Sequence, residues 1–246
     1  MNGPEEAGGS VDETIRIGWG ERLRTVKNLA TRLGPILSKE MIHTLDASIS
    51  YLETGRWLKS EGLVVPRRVE SRANVYDQLI SALRDRPVLY LEFGVWQGRS
   101  IRYWSERLRN PDSRFHGFDS FEGLPESWNM LYKKGLFSTN GQTPQIDDPR
   151  VKFFKGWFEN TLPDYQPPPH DQLVINIDAD LYSSTKFVLN ALKGSIAIGT
   201  YIYFDEFCDR NNELRAFDEF LAETKMRFEI ASASRSLMYI AFRRIG

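Results

Sequence analysis

The chain has 246 residues, 41% of them hydrophobic, with 15 Phe, 10 Tyr and 6 Trp; that suits one α/β domain with an extension, or two small domains. A formal net charge of -1 removes any bulk attraction to nucleic acid or an anionic membrane. Cys208 is the only cysteine, which excludes an intrachain disulfide, and nothing points to an oxidising compartment.

Met1 to Ser10 lacks the basic and apolar regions of a signal peptide, and no later run of about 18 apolar residues exists to span a bilayer. The expectation is a soluble cytoplasmic protein with neither nucleic-acid nor membrane partners. Residues 1–11 read as a disordered tail. From Val11 to about Leu63 apolar residues fall at helical spacing: Ile15, Leu23, Val26, Leu29 and Leu33, then Met41, Ile42, Leu45, Ile49 and Leu52, with Pro35 between the two sets. Residues 1–70 are thus expected to form the tail and an N-terminal helical cap. Arg22, Arg24, Lys27 and Arg32 read as a solvated face. The apolar faces suit either capping a site or pairing two subunits as a homo-oligomer.

After the joint at Pro66, a helix is expected over Val69–Leu83, and residues 71–246 form the main domain. Its centre is Val88-Leu-Tyr-Leu-Glu-Phe-Gly-Val-Trp-Gln-Gly-Arg-Ser100, an apolar strand ending in Glu92, a turn with Gly94 and Gly98, and a helix from Ser100 to Leu108. A buried strand feeding a glycine turn and a helix builds a cofactor site at the carboxyl edge of a parallel sheet. The spacing is E-x-G-x-x-x-G, so a carboxylate stands where a dinucleotide loop would offer amides to a pyrophosphate. Strand and helix then alternate: strands at Arg114–Phe118, Val151–Lys155, Gln172–Ile177 and Thr200–Phe204, helices at Ser183–Leu192 and Asn212–Lys225. The last two runs, Arg227–Ala231 and Leu237–Arg243, read as an antiparallel pair at one edge of the sheet. This alternation predicts a doubly wound α/β domain. Residues 121–149 break the rhythm. They are too long for a simple connection, and Trp128, Leu131, Tyr132, Leu136 and Phe137 give them an apolar face suited to a lid.

The acids Glu92, Asp119, Asp178, Asp205 and Glu206 each follow an apolar strand, so a parallel sheet brings them to one edge. Asp119 stands where nucleotide-binding folds hold ribose hydroxyls, and Phe118, Phe121, Trp157 and Phe158 could sandwich a base. Asp178, Asp205 and Glu206 offer hard oxygens suited to Mg²⁺. His43, His116 and His170 are too scattered for a histidine metal site, and Cys208 reads as a buried, inert thiol.

Three stretches carry a resemblance: Leu91-Glu-Phe-Gly-Val-Trp-Gln-Gly-Arg-Ser100, Gly117-Phe-Asp-Ser-Phe-Glu-Gly-Leu-Pro-Glu126 and Ile177-Asp-Ala-Asp-Leu-Tyr-Ser-Ser-Thr185, with Gly156-Trp-Phe-Glu-Asn-Thr-Leu-Pro163 as a fourth. Together they resemble signatures of the macrocin O-methyltransferase family, class I S-adenosylmethionine-dependent enzymes acting on natural-product sugars. The resemblance implies a seven-stranded Rossmann-like sheet with the last strand antiparallel. It also implies a sugar hydroxyl as methyl acceptor, while the aromatic lid residues suit a glycosylated or an aryl scaffold equally well. Cofactor contacts would come from Glu92, Phe93, Gly94, Gly98, Ser100, Asp119, Ser120, Phe121, Gly156, Trp157 and Phe158. Mg²⁺ would be held by Asp178, Asp205 and Glu206, and Asp178 or Asp180 would take the acceptor proton. Two positions depart from relatives: Asp205-Glu206 replaces the usual Asp-Asp or Asp-Asn pair, and Leu181 stands where catechol and caffeoyl-CoA enzymes carry a lysine. Two alternatives stay open, a nicotinamide-dependent oxidoreductase on the same topology and a cofactor-binding protein without catalysis.

Overall fold

The structure is a computed structural model that describes residues 23–128 and 131–246. The expected tail over 1–11, Ile15 and Arg22 lie outside the described residues. The chain divides into two units, Met1–Ile49 and Ser50–Gly246. In the first, residues 23–33 form a helix (α1), a 3₁₀ turn follows at Gly34–Ile36, and α2 (Lys39–Ser60) begins. The rest of α2 belongs to the second unit. There Trp57 is buried with its ring 5.4 Å from that of Phe207, and its indole N–H donates to Asp218 Oδ1 at 2.7 Å.

The second unit continues with α3 (Arg72–Leu83), β1 (Val88–Phe93), α4 (Arg99–Arg107), β2 (Arg114–Asp119), β3 (Val151–Lys155), α5 (Phe158–Thr161), β4 (Gln172–Ile177), α6 (Tyr182–Leu192), β5 (Tyr201–Phe204), α7 (Glu213–Thr224), β6 (Phe228–Ala233) and β7 (Ile240–Arg244). These strands form one seven-stranded sheet in the order β3-β2-β1-β4-β5-β7-β6. The ladders among β1 to β5 are parallel, and β7 is antiparallel to both its neighbours. The expected C-terminal pair exists, but β7 inserts between β5 and β6, leaving β6 at the edge. The central strand β1 is buried along its whole length, as its apolar run requires, and edge strand β3 is only half-buried.

Apolar clusters cover both faces. One contains Phe93, Phe118, Ile177 and Phe204; the other contains Tyr76, Tyr90, Trp104 and Tyr203. Side chains alternate along a strand, so neighbouring residues in β1 and β5 serve opposite clusters. No helix among the described residues is long and apolar enough to cross a membrane.

Candidate active site

The ladder hydrogen bonds run past the strand ends and fix the acids in a row. Asp178 N–H donates to the Phe93 carbonyl at 2.9 Å, and Asp205 N–H donates to that of Ile177 at 3.1 Å. Gly94 N–H donates to the Phe118 carbonyl at 3.1 Å. Beside this row opens a cleft of about 760 Å³. It is lined by Glu92, Gly94, Ser100, Asp119, Ser120, Trp157, Phe158, Asp178, Asp180, Asp205 and Glu206, all expected site residues. Phe93, Gly98, Phe121 and Gly156 are not in its lining. Phe93 and Phe118 stack on each other within the core, ring centres 4.9 Å apart, and Phe121 is buried against Phe153. Of the four rings expected to sandwich a base, Trp157 and Phe158 line the cleft.

Period-two alternation decides what lies beneath the acids. Tyr90 and Glu92 share a face of β1, and the Tyr90 hydroxyl donates to Glu92 Oε2 at 2.6 Å. Asn176 Nδ2 donates to that hydroxyl at 2.8 Å, while Asn176 Oδ1 has no partner among the described residues. The same spacing on β5 lets the Tyr203 hydroxyl donate to Asp205 Oδ1 at 2.7 Å. This phenol layer escaped the sequence reading, although Y-x-E and Y-x-D at strand ends are its signal.

Asp119 is more committed than its sequence position implies. Its Oδ2 accepts the N–H groups of Val95 and Trp96, both at 2.8 Å, and its Oδ1 accepts that of Phe121 at 2.7 Å. A carboxylate has about four acceptor sites, so roughly one remains for a ligand. Asp119 thus clamps the turn after β1 to the root of the segment that follows β2. Trp96, Phe121 and Asp180 all adopt left-handed backbone, with φ of 48°, 61° and 59°. Such non-glycine outliers gather where surrounding structure enforces them, often at functional sites.

On the other side, burial and neighbouring acids act together. Glu92 is pushed up to about 8, chiefly by burial and against its bond from Tyr90. Burial, then Asp205 and Asp180, hold Asp178 well above the carboxylate range. Asp180 rises to about 7 through burial, Asp205 and Asp119; Glu206 rises to about 8 through burial, Asp180 and Asp205. Two residues here were not anticipated. Arg72, the first residue of α3, puts Nη1 3.1 Å from Asp205 Oδ1 and 3.7 Å from Asp178 Oδ2. Glu213 opens α7 fully buried, accepting Glu206 N–H on Oε2 at 3.0 Å. Arg72 lies 133 residues from Asp205 in the chain, so no local pattern announces it.

Residues 121–149, apart from 129 and 130, supply an aromatic wall. Ring centres are 5.6 Å apart for Trp96 and Phe137, 6.4 Å for Phe137 and Tyr132, and 5.1 Å for Tyr132 and Trp128. Two side chains tie this segment across the cleft: Trp128 Nε1–H donates to Asp209 Oδ2 at 3.1 Å, and Ser183 Oγ–H donates to Glu126 Oε1 at 2.8 Å. The remaining titratable candidates lie apart from this chemistry. His116 is buried, hydrogen-bonded to the Tyr165 hydroxyl and lowered to about 4, mainly by burial. Burial lifts the Cys208 thiol to about 12.

The strand order with β7 inserted antiparallel, and a cleft at the carboxyl ends of β1, β2, β4 and β5, define the Rossmann-like fold of class I methyltransferases. Solved structures with this fold include the O-methyltransferase NovP, at 22% identity and TM-score 0.55, covering 71% of this chain and 78% of that one. The calicheamicin methyltransferase CalS11 aligns over 99% of this chain and 98% of its own, at 18% identity and TM-score 0.50. The macrocin O-methyltransferase (TylF) family model matches residues 66–241, and the chain belongs to that family. Among characterised relatives, a demethyldecarbamoylnovobiocin O-methyltransferase of Streptomyces niveus is 29% identical over 61% of this chain and 64% of its own. A tetracenomycin-rhamnose 4'-O-methyltransferase of Streptomyces olivaceus is 31% identical over 48% of this chain and 52% of its own. The matches span about half to two thirds of these relatives' lengths.

Proposed function

We propose that the protein is an S-adenosylmethionine-dependent O-methyltransferase that methylates a hydroxyl of a sugar or other small-molecule natural product. The observation that carries this reading is a single cleft with two kinds of lining. Asp119, Ser120, Trp157 and Phe158 stand on one part of it, and the acids 178, 180, 205 and 206 on another. Family membership and the names of relatives support the same reading.

The lining fits the cofactor. The cleft lies within the volume range of small-molecule sites, aromatic faces are available to a base, and Asp119 keeps one acceptor site for a ribose hydroxyl. Glu92, neutral near pH 7 when unpaired, suits the amino end of a methionine moiety, because an adjacent cation favours its ionised form. Bound S-adenosylmethionine supplies a methyl group on a cationic sulfur; orientation, proton removal and exclusion of water fall to the chain. Asp180 lines the cleft with a carboxyl raised to about 7, matched to general-base work near neutrality. It takes the proton of the acceptor hydroxyl, and Asp178 helps hold the acceptor in place. Residues 121–149 serve as the lid, laying their aromatic wall over the reactants and excluding water.

The residues do not fit Mg²⁺ as they stand. Asp178, Asp205 and Glu206 carry the hard oxygens such an ion prefers. Yet no three acids converge as a cation site among the described residues, and Arg72 already hydrogen-bonds Asp205 and lies within ion-pair distance of Asp178.

The test is methyl transfer from radiolabelled S-adenosylmethionine to a panel of glycosylated and aryl hydroxyl acceptors. Asp178→Asn and Asp180→Asn should each lose turnover, the latter by about 10²–10⁴-fold, with cofactor affinity nearly intact. Collapse of cofactor affinity in both variants would overturn the division of the cleft into two functions. Binding of NAD in preference to S-adenosylmethionine would favour the oxidoreductase alternative.

A further inference from the structure

Arg72 lines this cleft outside every motif, and the methyl-transfer reading gives it no role. Its placement is built rather than incidental. The segment before it is pinned to the β6–β7 turn: Val69 N–H donates to the Ala233 carbonyl, and Arg235 N–H donates to that of Val69, at 2.9 and 2.8 Å. Ser71 then caps α3, its side chain accepting Asn74 N–H at 3.3 Å. The arginine therefore springs from fixed backbone, with its guanidinium in the cleft wall. Nη1 lies 3.1 and 3.2 Å from the two carboxylate oxygens of Asp205 and 3.7 Å from Asp178 Oδ2. Asp205 is only 8% exposed, and its Oδ1 also accepts the Tyr203 hydroxyl.

Two acids held side by side by adjacent strands repel when both are ionised, and a cation beside them favours their charged forms. A guanidinium does not lose its proton in proteins, so this cation is permanent and part of the chain. Its Nη1 takes both oxygens of Asp205 and lies within ion-pair reach of Asp178 Oδ2, so an ion bridging these two acids would have to stand where the guanidinium stands.

We propose that Arg72 is the resident counter-cation of the Asp178–Asp205 pair, and that Arg72 and a divalent cation are alternative occupants of one place. A metal ion binds here only by driving the arginine out, so its affinity is set by competition with an intramolecular ion pair. Arg72 is accordingly a positioning residue. It holds the two acids in register in the absence of metal.

The test is calorimetric titration of the full chain with MgCl₂, without cofactor or acceptor, so the result is separate from whether the protein transfers methyl groups. Arg72→Gln should bind Mg²⁺ roughly tenfold or more tightly than the wild type, the size expected when directly coupled charges are separated. Arg72→Lys, which keeps the charge, should fall between them. Equal affinities in wild type and Arg72→Gln, or a folded Arg72→Gln that binds no Mg²⁺, would overturn the proposal. The side-chain N–H resonance of Arg72 in the wild-type protein gives a second measurement, independent of whether the variants fold. Over the range in which calorimetry shows the wild type taking up Mg²⁺, that resonance should shift with the same midpoint, and one that stays in place over that range overturns the proposal equally.

Discussion

Gly94 shows how tightly single residues constrain this site. Its φ is +89°, and a Cβ there would lie 1.8 Å from the Asp178 carbonyl oxygen. The demand comes from the end of β4, not from a ligand. Gly94→Ala forces apart the two strand ends that carry Glu92 and Asp178, and it should cost about 3 kcal/mol or more; urea denaturation that finds less than about 1 kcal/mol contradicts this account. Gly98 meets the same kind of limit, since a Cβ there would lie 2.9 Å from Pro144, at the far end of the lid segment. Packing alone therefore already requires glycine there. Glu92 yields a prediction of a different sort. With its carboxyl raised to about 8, it is largely protonated at pH 7, and a cationic amine arriving beside it favours ionisation. Cofactor binding at pH 7 should therefore release a proton, seen as a calorimetric enthalpy that varies with buffer ionisation heat. The dependence should vanish in Glu92→Gln.

At the scale of elements, the strands were the legible part. β3 and β4 fall where their apolar runs place them, because a short apolar run between turn signals has few other uses. α5 escaped notice because four residues carry no periodicity. The position of β7 escaped too, since chain order does not say whether a closing hairpin adds its last strand outside or inserts it. The lid segment was legible as an aromatic insertion, but its ties to Asp209 and Ser183 arise only on folding. Trp128→Ala removes both the bond to Asp209 and the stack on Tyr132. Steady-state kinetics should show acceptor KM rising roughly tenfold, the scale of one lost hydrogen bond with its packing, at unchanged cofactor affinity. Trp128→Phe keeps the ring and should show a smaller rise. An unchanged acceptor KM in Trp128→Ala would remove the case for a lid.

For the molecule as a whole, the row of acids makes stability depend on pH. Asp180, Glu92 and Glu206 have folded values of about 7, 8 and 8, all above their ordinary values. Between about pH 5 and pH 8 the folded protein holds more protons than the unfolded chain, so stability falls as pH rises through this window. The contribution is fully present below the unfolded values and lost once pH passes the folded ones. Thermal unfolding of the unliganded protein should give a Tm that declines from pH 5 to pH 8. Saturating S-adenosylmethionine should raise Tm at each pH by mass action. A flat or rising profile over that range would mean that these acids are already compensated.

The sequence by itself determined the strands and the row of acids at one edge of their sheet. Apolar runs make strands, parallel strands share a carboxyl edge, and an acid ending each run must arrive there. Tertiary structure alone decided how those acids are partnered. Asp119 spends three acceptor sites on backbone amides, Glu92 and Asp205 each take a phenol from their own strand, and Asp178 shares an arginine with Asp205. Period and composition describe what a residue does within its own segment. Compensation of charge depends on distance in space, and in this molecule the compensating arginine stands on a helix 133 residues away along the chain.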